Sequence, residues 1–185
     1  NYILYNSHTS RQAHAALGYC DRNSGVIGNG FDLNLYKPNY EARSSVRLEL
    51  GLSNDALLVG LIARYDPQKD HATFINAAKQ ICRIFPECNF LLVGKNVDGD
   101  NYNISNFLKE TELLPRFHLL GYRQDTSRLI AALDIACSSS IGEGFPNTIG
   151  EAMACGVSCV VTDVGDSALL VGNTGKVVPP ARPDL

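Results

Sequence analysis

Two glutamates, Glu143 and Glu151, lie eight residues apart in a glycine-rich stretch that reads EGFPNTIGE. Gly144 lets the backbone approach a ligand closely, and Pro146 suits the first turn of a helix. The free N–H groups of such a turn form a site for an anion, whereas carboxylates accept hydrogen bonds from sugar hydroxyls. The stretch therefore fits a ligand that carries both phosphate and hydroxyl groups. A structural interpretation stays open, in which the glutamates only favour the helix N-terminus through its dipole.

Two basic residues, Arg64 and Lys69, follow the apolar segment 57–63 and precede a helical pattern. Arginine makes forked contacts with phosphate, and lysine acts as a point charge. Taken singly, each residue is explained at least as well as a solvated surface charge. Their position directly after a strand, at the edge where we also expect the glutamate stretch, favours phosphate binding.

The elements that would hold these residues alternate regularly between strand and helix. Continuous apolar runs are typical of strands buried on both faces, and such alternation implies right-handed crossovers. The fold class predicted is therefore α/β, a Rossmann-like parallel sheet with helices on both faces. Ligands of such sheets bind beyond the carboxyl ends of the strands. The predicted strands are 57–63, 90–93, 117–120, 135–137 and 158–161, and the predicted helices are 70–85, 104–113, 126–133 and 146–155.

The first third of the chain has a weaker pattern. We expect a strand at 2–5, a helix at 10–17 and a strand end near 26. The polar segment 31–54 reads as an irregular connection with a short helix at 44–50. A last strand is expected at 176–178.

The composition excludes several classes of protein. Of 185 residues, 45% are hydrophobic and 19% charged, which is ordinary for a globular chain and excludes general disorder. The net charge of -3 argues against a nucleic-acid partner. No apolar run approaches the ~18 residues that span a bilayer, and the start lacks a signal-peptide pattern. The six cysteines have no zinc-ligand spacing and read as reduced thiols. We expect a cytoplasmic protein, or one bound peripherally at the inner membrane face.

Two further motifs are weak. Asp98-Gly99-Asp100 matches the Asp-x-Asp pattern of metal-dependent glycosyltransferases, but a polar turn explains it better. Gly142 and Gly144 match part of a dinucleotide-binding fingerprint, yet the third glycine is missing and the loop follows the fourth strand. We therefore expect no metal site and no cofactor.

The combination of Glu143, seven residues and Glu151 with Arg64 and Lys69 after the first strand resembles the retaining group 1 glycosyltransferases (family 4, GT-B fold). The segment VIGNGFD at 26–32 fits the same pattern. The resemblance implies that Arg64 and Lys69 neutralise the donor's diphosphate and that Glu143 contacts the transferred sugar. It implies that Glu151 binds the ribose hydroxyls, and that no bound metal is needed.

The resemblance also implies a wider set of donor contacts. Backbone amides of Phe145, Asn147 and Thr148 would hold phosphate or sugar, while Pro146 has no N–H to give. The base would pack near the turn at Tyr122 and Arg123, with Leu129 beneath. The implied site thus contains Arg64, Lys69 and Glu143 as catalytic residues, and as donor-binding residues Gly144, Phe145, Pro146, Asn147, Thr148, Glu151, Tyr122, Arg123 and Leu129.

The resemblance further implies the organisation of the chain. Residues 1–32 would be the tail of an acceptor-side domain and the crossover, and residues 33–185 a donor-binding domain cut short at its C-terminus. The expected function is sugar transfer from a nucleotide-diphosphate sugar with retention of configuration. The acceptor would be a glycan, a lipid-linked molecule or a small molecule held by a missing domain, so this fragment alone should be inactive. The alternative is a non-catalytic nucleotide-binding α/β module.

Overall fold

The computed structural model describes residues 2–185, which form eight strands and seven α-helices. The strands are β1 (Ile3–Tyr5), β2 (Ser24–Val26), β3 (Leu58–Ile62), β4 (Asn89–Val93), β5 (Phe117–Leu119), β6 (Ile135–Ser138), β7 (Ser158–Thr162) and β8 (Lys176–Val178). The helices are α1 (His8–Ala16), α2 (Tyr40–Glu49), α3 (His71–Ile84), α4 (Tyr102–Glu110), α5 (Thr126–Ala131), α6 (Asn147–Ala154) and α7 (Ser167–Val171).

Six strands form one parallel sheet in the order β5-β4-β3-β6-β7-β8, and β1 pairs separately with β2. The chain moves outward from β3 to β5 and then returns to place β6 on the other side of β3. This reversal is the point at which open α/β sheets bind ligands, because the loops after β3 and β6 diverge there. The predicted Rossmann-like α/β class is confirmed.

Both faces of the sheet are buried, as the continuous apolar strands predict. Along β4, Leu91 and Val93 face a core that includes α2, α5, α6 and α7. Phe90 and Leu92 face a second core built with α3 and α4. Alternate side chains of one strand therefore fix helices on opposite sides, and the two cores hold the sheet edge in a defined position.

The segment 31–54 is more ordered than the sequence pattern indicates. Its helix begins at Tyr40 rather than at residue 44, because the side chain of Asn39 caps it by accepting from the Ala42 N–H at 2.9 Å. Val46 and Arg47 are fully buried. The helix α2 is thus part of the core. The five-residue helix α7 is an element that the sequence analysis does not predict.

Asp166 fixes α1 to the sheet. Its carboxylate accepts from the backbone N–H groups of His8 (2.7 Å) and Thr9 (2.9 Å), and from the Thr9 hydroxyl (2.8 Å). A carboxylate suits this position because a helix N-terminus is electropositive. None of the helices in residues 2–185 has the length and apolar character needed to cross a membrane.

Candidate functional site

The loop after β3 holds Lys69 in a fixed position. Lys69 ends a short 3-10 turn, and Asp70 follows it in the left-handed backbone region at φ 46°. This conformation is costly for a residue other than glycine. Two contacts support it: Asp70 caps α3 by accepting from the Thr73 N–H at 3.0 Å, and the Ser139 hydroxyl donates to the Asp70 carbonyl at 3.0 Å. The strained residue therefore determines where the neighbouring lysine lies.

The loop after β6 lies directly against the loop after β3. The Ile141 N–H donates to the Gln68 carbonyl at 2.8 Å. The Lys69 ammonium forms an ion pair with the Glu143 carboxylate, and the two side chains are 18% and 12% exposed. The structure thus brings together one predicted cation and one predicted carboxylate at the carboxyl end of the sheet.

The turn after β7 supports the glutamate loop from a third direction. The Asp166 N–H donates to the Gly144 carbonyl at 3.0 Å. Gly165 adopts a positive φ of 58°, and a Cβ there would overlap the Glu143 carbonyl. Only glycine admits this approach without strain, so the backbone on either side of Glu143 has little freedom.

The N-terminus of α6 is open. The helix begins at Asn147 after Pro146, and no side chain among residues 2–185 caps it. The first N–H groups of any α-helix have no partner within the helix, and together with the helix dipole they attract anions. Phe145, Asn147 and Thr148, for which donor contacts through backbone amides are predicted, lie at this helix start beside Gly144 and Glu143.

Glu151 lies about one turn into α6 and is partly buried. Burial raises the pKa of Glu151, and the nearby Tyr36 hydroxyl opposes this effect. A half-buried carboxylate with so little compensation in the free protein is suited to accept hydrogen bonds from a ligand.

The segment 29–31 also contacts the start of α6, and the sequence pattern does not predict these contacts. The Asn29 amide donates to the Asn147 side-chain oxygen at 2.7 Å. The Phe31 ring stacks on Phe145 with centroids 6.3 Å apart. It also lies over Gly150, where a Cβ would overlap the ring. The motif VIGNGFD was a signal for this region, but not for these contacts.

Arg64 does not take part in the ion pair between Lys69 and Glu143. Its guanidinium pairs with Asp66 at 3.0 Å and its side chain is 60% exposed. Within residues 2–185 no ion pair joins Arg64 to Glu143. Arg64 nevertheless lies at the same end of the sheet, two residues after β3.

The predicted base-binding residues have mixed surroundings. Tyr122 is exposed, whereas Leu129 is fully buried in the core and presents no surface to a ligand. Arg123 pairs with Asp125 and Glu49 at 2.7 Å, and these carboxylates raise its pKa. Arg123 therefore already serves to tie α2 to the turn after β5.

The Asp-x-Asp motif forms a turn, in which Asp98 accepts from the Asp100 N–H at 3.1 Å. Within residues 2–185 no group of three or more histidine, cysteine, aspartate or glutamate side chains could hold a metal ion. The candidate site consists of the Lys69–Glu143 ion pair, the uncapped N-terminus of α6 and, about one turn into that helix, Glu151. That arrangement can hold an anion at the helix end and hydroxyl groups at the carboxylates.

Comparisons with known proteins identify the family of the chain. Residues 55–185 match the family model of the glycosyl transferases group 1. A relative in Escherichia coli, UDP-Gal:alpha-D-GlcNAc-diphosphoundecaprenol alpha-1,3-galactosyltransferase, is 32% identical over 152 residues, which is 80% of this chain and 38% of the relative. The chain thus spans well under half the length of that relative.

Two solved structures have a similar fold. The crystal structure of Anabaena Alr3699/HepE in complex with UDP-glucose has a TM-score of 0.89 and 31% identity, over 97% of this chain and 50% of that one. The C-terminal domain of a glycosyl transferase group 1 family protein (LpcC) from Francisella tularensis has a TM-score of 0.72 and 21% identity, over 84% of this chain and 83% of that domain.

Proposed function

The chain belongs to the group 1 glycosyltransferases, and on that premise we propose that it is the donor-binding half of a retaining glycosyltransferase. The reaction moves a sugar from a nucleotide-diphosphate sugar to an acceptor hydroxyl. The observation that carries the proposal is the ion pair between Lys69 and Glu143 beside the uncapped N-terminus of α6.

Each group has a role that follows from its charge. The diphosphate lies against the N–H groups of Asn147 and Thr148, where the helix dipole attracts it. Lys69 turns from Glu143 to the diphosphate, because two phosphate groups carry more negative charge than one carboxylate. Glu143 is then free to accept from the sugar hydroxyls, and Glu151 accepts from the ribose hydroxyls.

Transfer breaks the bond between the anomeric carbon and the oxygen of the terminal phosphate, and the electron pair leaves with the phosphate. Lys69 and the α6 N-terminus stabilise the charge that develops there. Arg64 adds to this once it leaves Asp66. The acceptor oxygen bonds to the anomeric carbon on the face that the phosphate leaves, and its proton passes to the departing phosphate. No step requires a metal or a cofactor.

The relatives indicate which donor to test first. One is named for UDP-galactose and a diphosphoundecaprenol acceptor, and one structure contains UDP-glucose. We propose a uridine-diphosphate sugar as the donor. The acceptor, a glycan, a lipid-linked molecule or a small molecule, is held by a further domain. A cytoplasmic location, or a peripheral one at the inner membrane face, fits a lipid-linked acceptor.

The test is calorimetric titration of this chain with UDP, UDP-glucose, UDP-galactose and NAD. We expect binding of UDP and tighter binding of a UDP-sugar, with the added affinity lost in Glu143→Gln. Lys69→Ala removes the cation assigned to the diphosphate. Its matched control is Lys79→Ala, because Lys79 is exposed and lies toward the end of α3. Equal affinity for UDP and every sugar form would favour a non-catalytic nucleotide-binding module. Preference for NAD would exclude the proposal.

A further inference from the structure

Ser140 lies between the end of β6 and Glu143 and is 2% exposed. Its hydroxyl donates to Oε1 of Glu143 at 2.7 Å. The same oxygen accepts from the Lys69 ammonium. Within residues 2–185, Oε2 of Glu143 has no hydrogen-bond partner. One carboxylate oxygen is therefore held by two donors, and the other is open to a ligand.

Ser140 is itself held firmly. The Thr162 hydroxyl, at the end of β7, donates to the Ser140 carbonyl at 2.6 Å and to the Ser138 carbonyl at 3.3 Å. Thr162 is buried, and β6 and β7 are paired up to Ser138 and Val161. The position of the Ser140 hydroxyl is thus set by the sheet rather than by a free loop.

We propose that Ser140 is the positioning residue for Glu143, an inference that rests on the proposed function. When the diphosphate draws Lys69 away, Oε1 loses its ammonium partner. The Ser140 hydroxyl is the donor that remains, and it keeps Oε2 directed at the transferred sugar. Ser140 therefore supports recognition of the sugar and does not contribute to the affinity for the nucleotide.

The experiment is a double-mutant cycle on this chain, with UDP and UDP-glucose as the two probes in calorimetry. Ser140→Ala should weaken UDP-glucose binding about tenfold, the value of a hydrogen bond to a charged group. UDP binding should change less than about twofold. Adding Ser140→Ala to Glu143→Gln should cause little further loss, because the serine acts through the glutamate. Ser140→Thr, which keeps the hydroxyl, should retain the preference for UDP-glucose.

Ser167→Ala is the matched control. Ser167 is fully buried like Ser140, but its hydroxyl has no partner within residues 2–185, so binding of both probes should be unchanged. Equal losses of UDP and UDP-glucose affinity in Ser140→Ala would indicate a purely structural role and overturn the inference. Additive losses in the double variant, or a wild-type chain that binds both probes equally, would also overturn it. A wild-type chain that binds neither probe would contradict the proposed function as well.

Discussion

The ring of Phe31 occupies the space that a side chain at position 150 would need. Gly150 lies within α6, and a Cβ on it would overlap three atoms of that ring. Phe31 also stacks on Phe145 at the start of the helix. A glycine that weakens the helix by about 1 kcal/mol relative to alanine is thus explained by a contact from a segment more than a hundred residues earlier.

Gly150→Ala should destabilise the protein although alanine is the better helix former. Overpacking of this kind costs about 1–3 kcal/mol, and urea unfolding measures it. Gly99→Ala is the matched control, because a Cβ at Gly99 meets nothing within 4 Å. Combining Gly150→Ala with Phe31→Ala should cost less than the two changes added. A more stable Gly150→Ala protein would show that Phe31 does not lie over this position.

Lys69→Ala should lower the rate of sugar transfer in an intact enzyme that contains this chain. Loss of one preorganised donor to developing charge reduces kcat about 10²–10³-fold. Arg64→Ala should act in the same direction, and Lys79→Ala should leave kcat unchanged. Unaltered steady-state kinetics in both Lys69→Ala and Arg64→Ala would contradict the roles proposed for these cations.

Glu151→Gln should stabilise the free protein and weaken nucleotide binding. Burial raises the pKa of Glu151 above its usual 4.5, so the ionised form is penalised in the folded state. That penalty is complete above the raised pKa and absent below 4.5. The gain in unfolding free energy should therefore appear at neutral pH and vanish as the pH falls below 4.5.

The expected loss in nucleotide affinity of Glu151→Gln tests the ligand-binding role of Glu151. Removing a charged acceptor for ribose hydroxyls should weaken UDP binding about tenfold or more. The exposed Glu41 provides the control, since Glu41→Gln should change neither quantity appreciably. If Glu151→Gln bound UDP as tightly as the wild type, the ribose role of Glu151 would be excluded.

Asp134→Asn should reduce stability strongly at neutral pH. Asp134 accepts from Arg43 and from the fully buried Arg47, both at 2.7 Å, and from the Leu58 N–H at 2.8 Å. Leaving a buried arginine without its carboxylate costs about 3–5 kcal/mol. Burial would raise the pKa of Asp134, but these hydrogen bonds outweigh it and lower the pKa.

The sign of the pH dependence follows from that lowered pKa. The stabilisation is complete above the unfolded value of 3.8 and is lost as the pH falls through the folded value. The difference between wild type and Asp134→Asn should therefore shrink in acid, as measured by urea unfolding at several pH values. Asp55→Asn, at an exposed position, should differ little from wild type throughout. A difference independent of pH would refute this account.

The pattern of apolar runs was sufficient to predict the sheet, since β3 and β4 are buried on both faces and leave a continuous signal. The short helix α7 was missed because five residues do not complete a hydrophobic repeat. The sequence pattern places the start of α2 four residues late, because that start depends on the Asn39 cap and a cap within a polar segment gives no apolar signal.

The candidate site is likewise predictable from the sequence only in part. Lys69 and Glu143 could be placed together because parallel strands end at one edge of the sheet. That Arg64 pairs with Asp66 and Arg123 with Glu49 could not be foreseen, since such pairs depend on side-chain directions. The hydrogen bond of Ser140 and the packing of Phe31 on α6 are not predicted, because a serine in a loop and an aromatic residue in a connection carry no periodic signal.

The contacts of Phe31 with α6 and of Thr9 with Asp166 affect where a chimera of two related chains can be joined. A chimera joined at residue 33 would leave the slot above Gly150 vacant and the carboxylate of Asp166 without its amide partners. A joint upstream of Ser7 would instead keep both contacts, together with the Lys69–Glu143 pair and the N-terminus of α6.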